Sequence, residues 1–412
     1  MVKLALKGGK PIRDKPFPKW PVFDEKEFDA LKMVLESGAW GIGGQYVRQF
    51  EEKFAKYQHT KYGVAVSSGT TAIEIALRAC GIGCGDEVIT TPYTFMATVT
   101  SIFYVNAIPV FVDIESDTYN IDPRKIEEAI SDKTKAILPV HIGGRPANMD
   151  EITRIAEKHN LNVIEDACQA WGSEWKSRRV GSFGNFGCFS FQSSKNITSG
   201  EGGIIVTNDH ELYVKAWSLH NCGRLPEKAW YEHYLPGTNY RMTEFQAAIL
   251  LVQLERLDEH TKRRDKNAEY LNNKLQKIDG LKPLKKDDRI TRNSWHLYIF
   301  RYDPEAFEGL SKADFASAAR AEGIPVSVGY SKPLYKEPYL EYFKKCPLSC
   351  TYYGKKINYS DLKLSNVEKA CYEEGLWLPQ NVLLGSKEDM DDIIAAFEKI
   401  KNNIDELKNF NA

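Results

Sequence analysis

Short apolar runs alternate with amphipathic helical segments between about residue 60 and residue 220, and this alternation narrows the fold more than any other feature. The runs are GVAVSS (63–68), EVITT (87–91), IPVFVDI (108–114), AILPVH (136–141) and NVIEDA (162–167). Short, nearly continuous apolar runs are typical of strands that helices cover on both faces. The pattern therefore predicts an α/β unit with a mostly parallel central sheet sandwiched by helices.

A second unit is predicted from the change in composition after this region, since one core seldom extends over 412 residues. Residues 243–280 form a charged stretch with helical apolar spacing, which connects the two units. Beyond it, SWHLYIFRY, IPVSVGY and an amphipathic C-terminal stretch indicate a smaller α+β unit. We predict a large domain over residues 1–260, including the N-terminal segment, and a small C-terminal domain over residues 261–412.

The composition favours a small-molecule partner. Lys and Arg total 55 and Asp and Glu total 56, so the chain has no basic field that would collect nucleic acid. The closest cysteines, Cys80/Cys84 and Cys346/Cys350, have no histidine cluster beside them, which predicts reduced thiols and no metal site. Neither a signal peptide nor a long apolar stretch is evident, so we expect a soluble, cytoplasmic protein without membrane contact.

The motif SSGTT (67–71) joins the first predicted strand to a helix. The backbone N–H groups of Gly69, Thr70 and Thr71 would then open that helix, with two threonine hydroxyls beside them. Such a helix N-terminus is a natural seat for a phosphate. Ordinary N-capping by Ser or Thr explains the same residues, and the motif does not separate the two interpretations.

The motif VIEDACQAWGS ends another apolar strand with two adjacent carboxylates, Glu165 and Asp166. Successive side chains of a strand point to opposite faces, so one of the two can face a given ligand. An acid beside a cationic ring nitrogen would keep that nitrogen protonated. A salt-bridged acid at the end of a strand is the alternative.

The stretch FSFQSSKNITSGEGG places Lys195 between an apolar run and three glycines, Gly200, Gly202 and Gly203, which allow a tight turn. A partly desolvated lysine has a lowered pKa and can form a Schiff base, whereas a solvated loop lysine is the alternative. A phosphate seat, an acid and a lysine are together what pyridoxal 5'-phosphate requires. The three motifs therefore predict this cofactor.

SSGTTAIEIAL, TPYTFMAT, VIEDACQAWGS, FSFQSSKNITSGEGGIIVTND and NYRMTEFQAAIL follow one another in this order. With them, over roughly residues 15–400, the chain resembles the DegT/DnrJ/EryC1/StrS aminotransferases of aspartate-aminotransferase fold type I. The resemblance implies a ping-pong aminotransferase that takes an amino group from glutamate or glutamine. The acceptor would be a keto group on a nucleotide-linked sugar or on a cyclitol of the inosose type, and the active unit a homodimer with shared sites.

The resemblance also implies roles for individual residues. Lys195 would anchor the cofactor and act as general acid and base, and Asp166 would pair with the pyridine nitrogen. Gln169 would contact the phenolic oxygen and Phe95 would stack on the ring, although a core phenylalanine is the alternative. The phosphate-binding and shared-site positions are Gly69, Thr70, Thr71, Ser190, Asn239 from the neighbouring subunit, and Arg241 beside it.

Two positions depart from the common family pattern. Gln192 stands where many sugar-nucleotide enzymes carry histidine, which favours the cyclitol and aminohydroxybenzoate branch, and Asn381 replaces a histidine of the small domain. His141 and His220 are candidates for the pocket, with packed structural histidines as the alternative. Lys195 argues against a related branch of deoxysugar dehydratases, in which histidine replaces the lysine, and a regulator or sensor of the same fold stays open.

Overall fold

The computed structural model describes residues 3–348 and 350–408. The α-helices are α1 (Glu25–Ser37), α2 (Tyr46–Tyr57), α3 (Gly69–Ala79), α4 (Met96–Tyr104), α5 (Pro123–Glu128), α6 (Met149–His159), α7 (His210–His220), α8 (Glu244–Leu275), α9 (Lys312–Ala321), α10 (Ser365–Lys369), α11 (Lys387–Lys401) and α12 (Asp405–Lys408). A π-helical turn, Ala370–Glu374, follows α10. Within the described residues, no helix has the length and apolar character that crossing a bilayer requires.

The strands are β1 (Tyr62–Val66), β2 (Glu87–Thr90), β3 (Ile108–Phe111), β4 (Thr134–Leu138), β5 (Asn162–Asp166), β6 (Glu174–Trp175), β7 (Arg178–Arg179), β8 (Phe186–Ser190), β9 (Gly203–Thr207), β10 (Leu281–Pro283), β11 (Ile290–Arg292), β12 (Leu297–Tyr302) and β13 (Gly375–Pro379). The large sheet of the described chain has the order β1-β9-β8-β5-β4-β2-β3. Its strand β9 runs antiparallel to β1 and β8, and the other neighbouring pairs are parallel. The predicted mostly parallel sheet is thus confirmed.

Burial explains why these strands lie in the middle of the molecule. All residues of β2, β8 and β9 are buried, as expected for strands covered on both faces. On one face, α3 packs against β1, β8 and β9 through Ile73 and Leu77. Ser68, rather than a threonine, is the N-cap of α3, so the helix begins at Gly69.

A smaller unit follows α8, which begins at a capping box formed by Thr243 and Gln246. Strands β10, β12 and β13 form an antiparallel sheet against a core that includes Phe315 and Phe397. Strand β11 instead pairs with β6 of the large unit. The boundary at residue 260 stays a prediction, because α8 runs without a break across it.

The N-terminal segment, which we predicted to belong to the large domain, packs against this smaller unit. Leu4 is fully buried in the core of the smaller unit. The backbone N–H of Ala5 donates to Glu322 at 2.8 Å, and Arg13 forms an ion pair with Asp389 at 2.7 Å. Apolar burial and a buried ion pair therefore both fix the segment on the C-terminal side.

Candidate active site

A cavity of about 530 Å³ lies beyond the carboxyl ends of β1, β5 and β8, facing the small unit. In open α/β sheets, ligands bind at this edge. The lining includes predicted site residues of the large unit: Gly69, Thr70, Phe95, Asp166, Gln169, Ser190 and Lys195. The small unit contributes His296, Leu297, Tyr330 and Trp377.

The N-terminus of α3 forms one end of the cavity. The Ser68 hydroxyl accepts a hydrogen bond from the backbone N–H of Thr71 at 3.2 Å. A Cβ at Gly69 would lie 2.7 Å from the Cβ of Ser190 and 2.9 Å from the Sγ of Cys168, so glycine lets the helix lie against β8. The first N–H groups of a helix lack intrahelical partners and carry the positive end of its dipole. This end of the cavity therefore favours an anion.

Asp166 and Glu165 point in opposite directions from the end of β5. The Thr98 hydroxyl donates to Oδ2 of Asp166 at 2.7 Å, and the backbone N–H of Cys168 donates to Oδ1 at 3.1 Å. Glu165 is fully buried and accepts hydrogen bonds from backbone N–H groups in the loop over residues 181–184. Asp166 is therefore the carboxylate that faces the cavity, and both of its oxygens are held in place.

Lys195 reaches the cavity from the loop after β8. Burial lowers the pKa of Lys195 below its usual value, while the Cys168 thiol and the Asp166 carboxylate act in the opposite direction. Its Nζ lies 5.9 Å from the ring centroid of Trp171, whose indole N–H donates to the Ser190 carbonyl at 3.1 Å. A lowered pKa leaves a larger fraction of unprotonated amine, which is the nucleophilic form.

Phe95 and Gln169 also line the cavity. The Phe95 side chain is 59% exposed at the N-cap of α4, so the core position that we held as its alternative is wrong. Its ring is available for stacking at the cavity. The Gln169 Oε1 accepts a hydrogen bond from the backbone N–H of Gly143 at 2.7 Å, and the side chain also hydrogen-bonds Tyr330.

His296 is a cavity residue that the sequence did not single out. Its Nδ1 lies 3.2 Å from Oδ1 of Asn196, whose amide nitrogen donates to the Ser294 carbonyl at 2.7 Å. The amide oxygen therefore faces the ring, and Nδ1 carries the proton. Burial, together with the charge of Lys195, holds the pKa of His296 well below its usual value. The ring is neutral, with its unprotonated nitrogen at Nε2.

Tyr330 and Trp377 form an aromatic wall on the small-unit side of the cavity. Their ring centroids lie 5.1 Å apart at 82°, in an edge-to-face arrangement. Tyr330 also packs edge-to-face against Tyr93, at 5.2 Å and 88°. No sequence pattern indicated this wall, because aromatic residues within IPVSVGY and LWLPQ have the pattern of core residues.

Three of the predicted site residues lie outside the cavity of their own chain. The Thr71 hydroxyl donates to the Ser68 carbonyl at 2.8 Å and accepts from the Ser68 N–H at 3.1 Å, which completes the helix cap. Asn239 is exposed, and Nη1 of Arg241 donates to Oδ1 of Asn221 at 2.9 Å. The roles predicted for Thr71, Asn239 and Arg241 stay predictions.

The two candidate histidines are buried and hydrogen-bonded within the protein rather than at the cavity. His141 is buried, its Nδ1 accepts from the backbone N–H of Ala147 at 3.0 Å, and its Nε2 pairs with Glu165 at 3.1 Å. His220 donates from Nδ1 to the Trp217 carbonyl at 2.5 Å, and burial lowers its pKa to about 4. Both lie outside the cavity lining, so the packed alternative describes them better.

The two departures from the family pattern also have defined contacts. Gln192 lines the cavity, but its Oε1 accepts from the N–H and hydroxyl of Ser194, at 2.9 and 2.7 Å, and its Nε2 donates to Ser193. Its amide therefore orders its own loop. Asn381 donates to the Pro18 carbonyl at 2.7 Å and so fixes the N-terminal segment.

This sheet, with an acid, a lysine and a helix N-terminus at its carboxyl edge, defines an aminotransferase-like enzyme of fold type I. The chain belongs to the DegT/DnrJ/EryC1/StrS aminotransferase family, which it matches over residues 21–398. It is an aminotransferase, and the resemblance inferred from its motifs is confirmed.

Individual relatives match almost the whole chain. A proposed L-glutamine:3-amino-2,3-dideoxy-scyllo-inosose aminotransferase of Streptoalloteichus tenebrarius is 40% identical, over 98% of this chain and 99% of that protein. The crystal structure of 3-amino-5-hydroxybenzoic acid synthase superposes with a TM-score of 0.85 at 32% identity, covering 94% and 99% of the two chains. NtdA of Bacillus subtilis, solved with its cofactor PMP bound, has a TM-score of 0.82 at 28% identity, covering 95% and 86%.

Proposed function

We propose that this protein is a pyridoxal 5'-phosphate-dependent aminotransferase that moves the amino group of glutamine or glutamate to a ketone of the inosose type. One observation carries the proposal: the α3 N-terminus at Gly69, the Asp166 carboxylate and the Lys195 amine line the same cavity. They suit the phosphate, the pyridine nitrogen and the aldehyde of this cofactor. The cofactor bound to NtdA supports the same group here.

The chemistry of the residues that line the cavity fits the cofactor. Gly69 at the α3 N-terminus and Ser190 both line the cavity, so a phosphate there would meet the free N–H groups of the helix and the Ser190 hydroxyl. The exposed ring of Phe95 would stack on the pyridine, and Gln169 would contact the phenolic oxygen. When bound, pyridoxal phosphate supplies an aldehyde that carries the amino group and a ring that takes up electrons.

Two side chains would control protons in this reaction. Asp166, oriented by Thr98, would hold a proton on the pyridine nitrogen, which makes the ring a better electron acceptor. Nζ of Lys195 would take a proton from the α-carbon of the amino donor and later give one to the former ketone carbon of the acceptor. The neutral ring of His296 adds no positive charge beside the Lys195 amine, so it leaves that amine able to accept protons.

The charges around the cavity favour a cyclitol over a nucleotide-linked sugar. Lys195 is the one cationic side chain among the described residues that line the cavity, whereas Asp166 and Glu201 are anionic. Proteins bind a diphosphate mainly through arginine and lysine, so such an acceptor would have few partners on the lining that one chain supplies. An uncharged or cationic polyol ring has no such need, and the aromatic wall offers apolar faces to its C–H groups. The inosose and the glutamine in the name of the Streptoalloteichus relative support this choice.

We also propose a homodimer with shared sites, located in the cytoplasm. Asn239 and Arg241 lie outside the cavity of their own chain, which supports their use by the cavity of a second copy. The eight cysteines, all within the described residues, carry free thiols. Free thiols are typical of proteins kept in a reducing compartment.

Cofactor attachment is the direct test. The purified protein, incubated with pyridoxal phosphate and then reduced with borohydride, should carry the cofactor on the peptide that contains Lys195, as shown by mass spectrometry. Lys195→Ala should abolish both this label and turnover, and Lys195→Arg is the control that keeps the charge. Turnover by Lys195→Ala, or labelling of another lysine, would overturn the assignment.

The acceptor is tested separately, in the second half-reaction. In separate experiments, the cofactor-loaded protein is aminated with glutamine or with glutamate. It is then mixed with scyllo-inosose-type ketones or with nucleotide-linked keto-sugars, and the return of the spectrum to that of the aldehyde form of the cofactor is followed. We expect the inososes to react. A response to nucleotide-linked sugars alone would contradict the cyclitol proposal and leave the aminotransferase assignment intact. Failure with every ketone would instead favour the alternative function, a regulator or sensor of the same fold.

A further inference from the structure

Two cysteines far apart in sequence meet on the surface of the large unit, away from the cavity. Sγ of Cys84, in the turn before β2, lies 3.0 Å from Sγ of Cys350. Cys84 is exposed and Cys350 is half-buried. Cys350 belongs to the segment between Tyr330 and α10, so the two sulfurs connect that segment to the large unit.

Several other contacts hold the two sides together, so the sulfur contact does not depend on one side chain. The Tyr353 hydroxyl donates to Glu87 at 2.6 Å, and the Tyr359 hydroxyl bonds to the Pro109 carbonyl at 2.5 Å. The ring of Phe343 stacks on that of Phe103, with centroids 4.1 Å apart at 13°. These anchors lie on both sides of Cys350 in sequence and restrict the separation of the two sulfurs.

The surroundings make the two thiols chemically different. Sγ of Cys350 lies within hydrogen-bond distance of Sγ of Cys84 and close to the backbone amides of Tyr352 and Tyr353. The Cys84 hydrogen bond, followed by these amides, lowers the pKa of Cys350, and the same contact raises the pKa of Cys84. Since the thiolate is the reactive form, the lowered pKa favours Cys350 as the nucleophile and Cys84 as its neighbouring partner.

We propose that Cys84 and Cys350 are a redox-sensitive thiol pair that a hydroperoxide converts to a disulfide. The Cys350 thiolate attacks one oxygen of the peroxide, the O–O bond breaks, and hydroxide or alkoxide leaves, which gives a sulfenic acid. The Cys84 thiol then attacks that sulfur, the S–OH bond breaks, and water leaves with the Cys84 proton. The two sulfurs lose two electrons in total, and the peroxide gains them.

This pair extends the chemistry of the protein beyond transamination and does not rest on the proposed substrate. The disulfide would close a covalent link between the turn before β2 and the segment that begins next to Tyr330, a wall residue of the cavity. Exposure of Cys84 gives the oxidant access. Such reversible oxidation is typical of sensor thiols, which are accessible and lie next to a second cysteine.

Peptide mapping tests the pair directly. The reduced full-length protein is treated with hydrogen peroxide, its remaining thiols are alkylated, and a non-reducing digest is analysed by mass spectrometry. We expect a linked Cys84–Cys350 peptide and the loss of two of the eight thiols, reversed by dithiothreitol. Cys346→Ser, at an exposed cysteine four residues from Cys350, is the matched control and should form the same link.

Single variants separate the two roles. Cys84→Ser should stop at the sulfenic acid, so that dimedone labels Cys350, whereas Cys350→Ser should take up little dimedone at Cys84. A circular dichroism spectrum equal to that of the wild type shows that each variant is folded. The proposal would be overturned by a disulfide between other cysteines or between chains. It would also be overturned if Cys350 stayed reduced after Cys346 had been oxidised.

Discussion

Thr98 controls the orientation of the Asp166 carboxylate through a short chain of hydroxyl groups. Its Oγ1 lies 2.9 Å from Oγ1 of Thr94 and donates to Asp166 at 2.7 Å. Because Thr98 uses its proton on Asp166, Thr94 must be the donor between the two threonines. Asp166 also accepts a hydrogen bond from the backbone N–H of Cys168.

The variant Thr98→Val should therefore impair turnover without removing a charged group. A hydrogen bond to a carboxylate contributes about 1.5–3 kcal/mol, so loss of orientation predicts a fall in kcat of roughly tenfold or more. Thr98→Ser keeps the hydroxyl, so its kcat should stay within about twofold of the wild-type value. That change is well below the factor of ten to which about 1.4 kcal/mol corresponds. Steady-state kinetics with saturating cofactor measure both, and equal kcat values for the two variants would contradict this role of Thr98.

At this scale the sequence predicted residue types better than their geometry. Strand alternation predicted that Glu165 and Asp166 would separate, but the choice between them depended on the loop over residues 181–184, which binds Glu165. The predicted role of Thr71 at a phosphate stays a prediction, and the motif did not indicate that its hydroxyl caps the helix. Side-chain hydrogen bonds of this kind depend on which neighbour is nearest, and a motif does not specify that.

Lys312, at the start of α9, connects the elements that carry the aromatic wall. It is buried, and its Nζ donates to the carbonyls of Val328 and of three residues within 370–375. Val328 lies two residues before Tyr330, and Gly375 lies two residues before Trp377. One ammonium group therefore fixes the backbone on both sides of the wall.

Stability should depend on pH through Lys312. Burial lowers its pKa from 10.5 to about 8, so between these values the unfolded chain binds a proton that the folded chain has lost. The free energy of unfolding that Lys312 contributes should thus rise from pH 8 to pH 10.5, by roughly 3 kcal/mol at most. Urea unfolding at pH 7.5 and 9.5 gives the free energy of unfolding of wild type and of Lys312→Met, and the difference between the two proteins at each pH measures this contribution.

An exposed lysine provides the control for this prediction. Lys53 lies on the exposed side of α2. The free energy of unfolding of Lys53→Met should therefore differ from that of the wild type by the same amount at both pH values. At pH 7.5, Lys312→Met leaves buried carbonyls without their donor and should be less stable than wild type by roughly 2–4 kcal/mol. A wild-type advantage that shrinks as the pH rises would contradict the assigned direction of the pKa shift.

The elements themselves were largely predictable, since apolar runs of strand length in the large unit coincide with β1 to β5 and with β8. Strand β9 was not identified, because GIIVT directly follows glycines that we assigned to a turn. The cavity residues His296 and Trp377 were also missed. They lie more than 100 residues after Lys195, and the packing that brings them to the cavity is set by the arrangement of the two units.

At the scale of the whole molecule, exposed aromatic residues precede the segment proposed to reach a second copy. Trp230, Tyr231 and Tyr234 are 45%, 86% and 47% exposed and come shortly before Asn239 in sequence. Exposed apolar patches of this kind mark protein interaction sites. In the proposed isologous dimer, we expect this patch to be covered and Asn239 and Arg241 to reach the cavity of the other copy.

Shared sites predict that two inactive variants rescue one another. In a mixed dimer of Lys195→Ala and Arg241→Ala, one site combines both defects and the other has neither. If the copies pair at random, half of the dimers are mixed and the preparation should regain about a quarter of wild-type activity. Co-expression with two affinity tags and a turnover assay measure this. In the control, the double variant Lys195→Ala/Arg241→Ala replaces the Arg241→Ala chain, so that the mixed dimer has no intact site. Activity no higher than the sum of the separate variants would show that each chain uses its own Arg241.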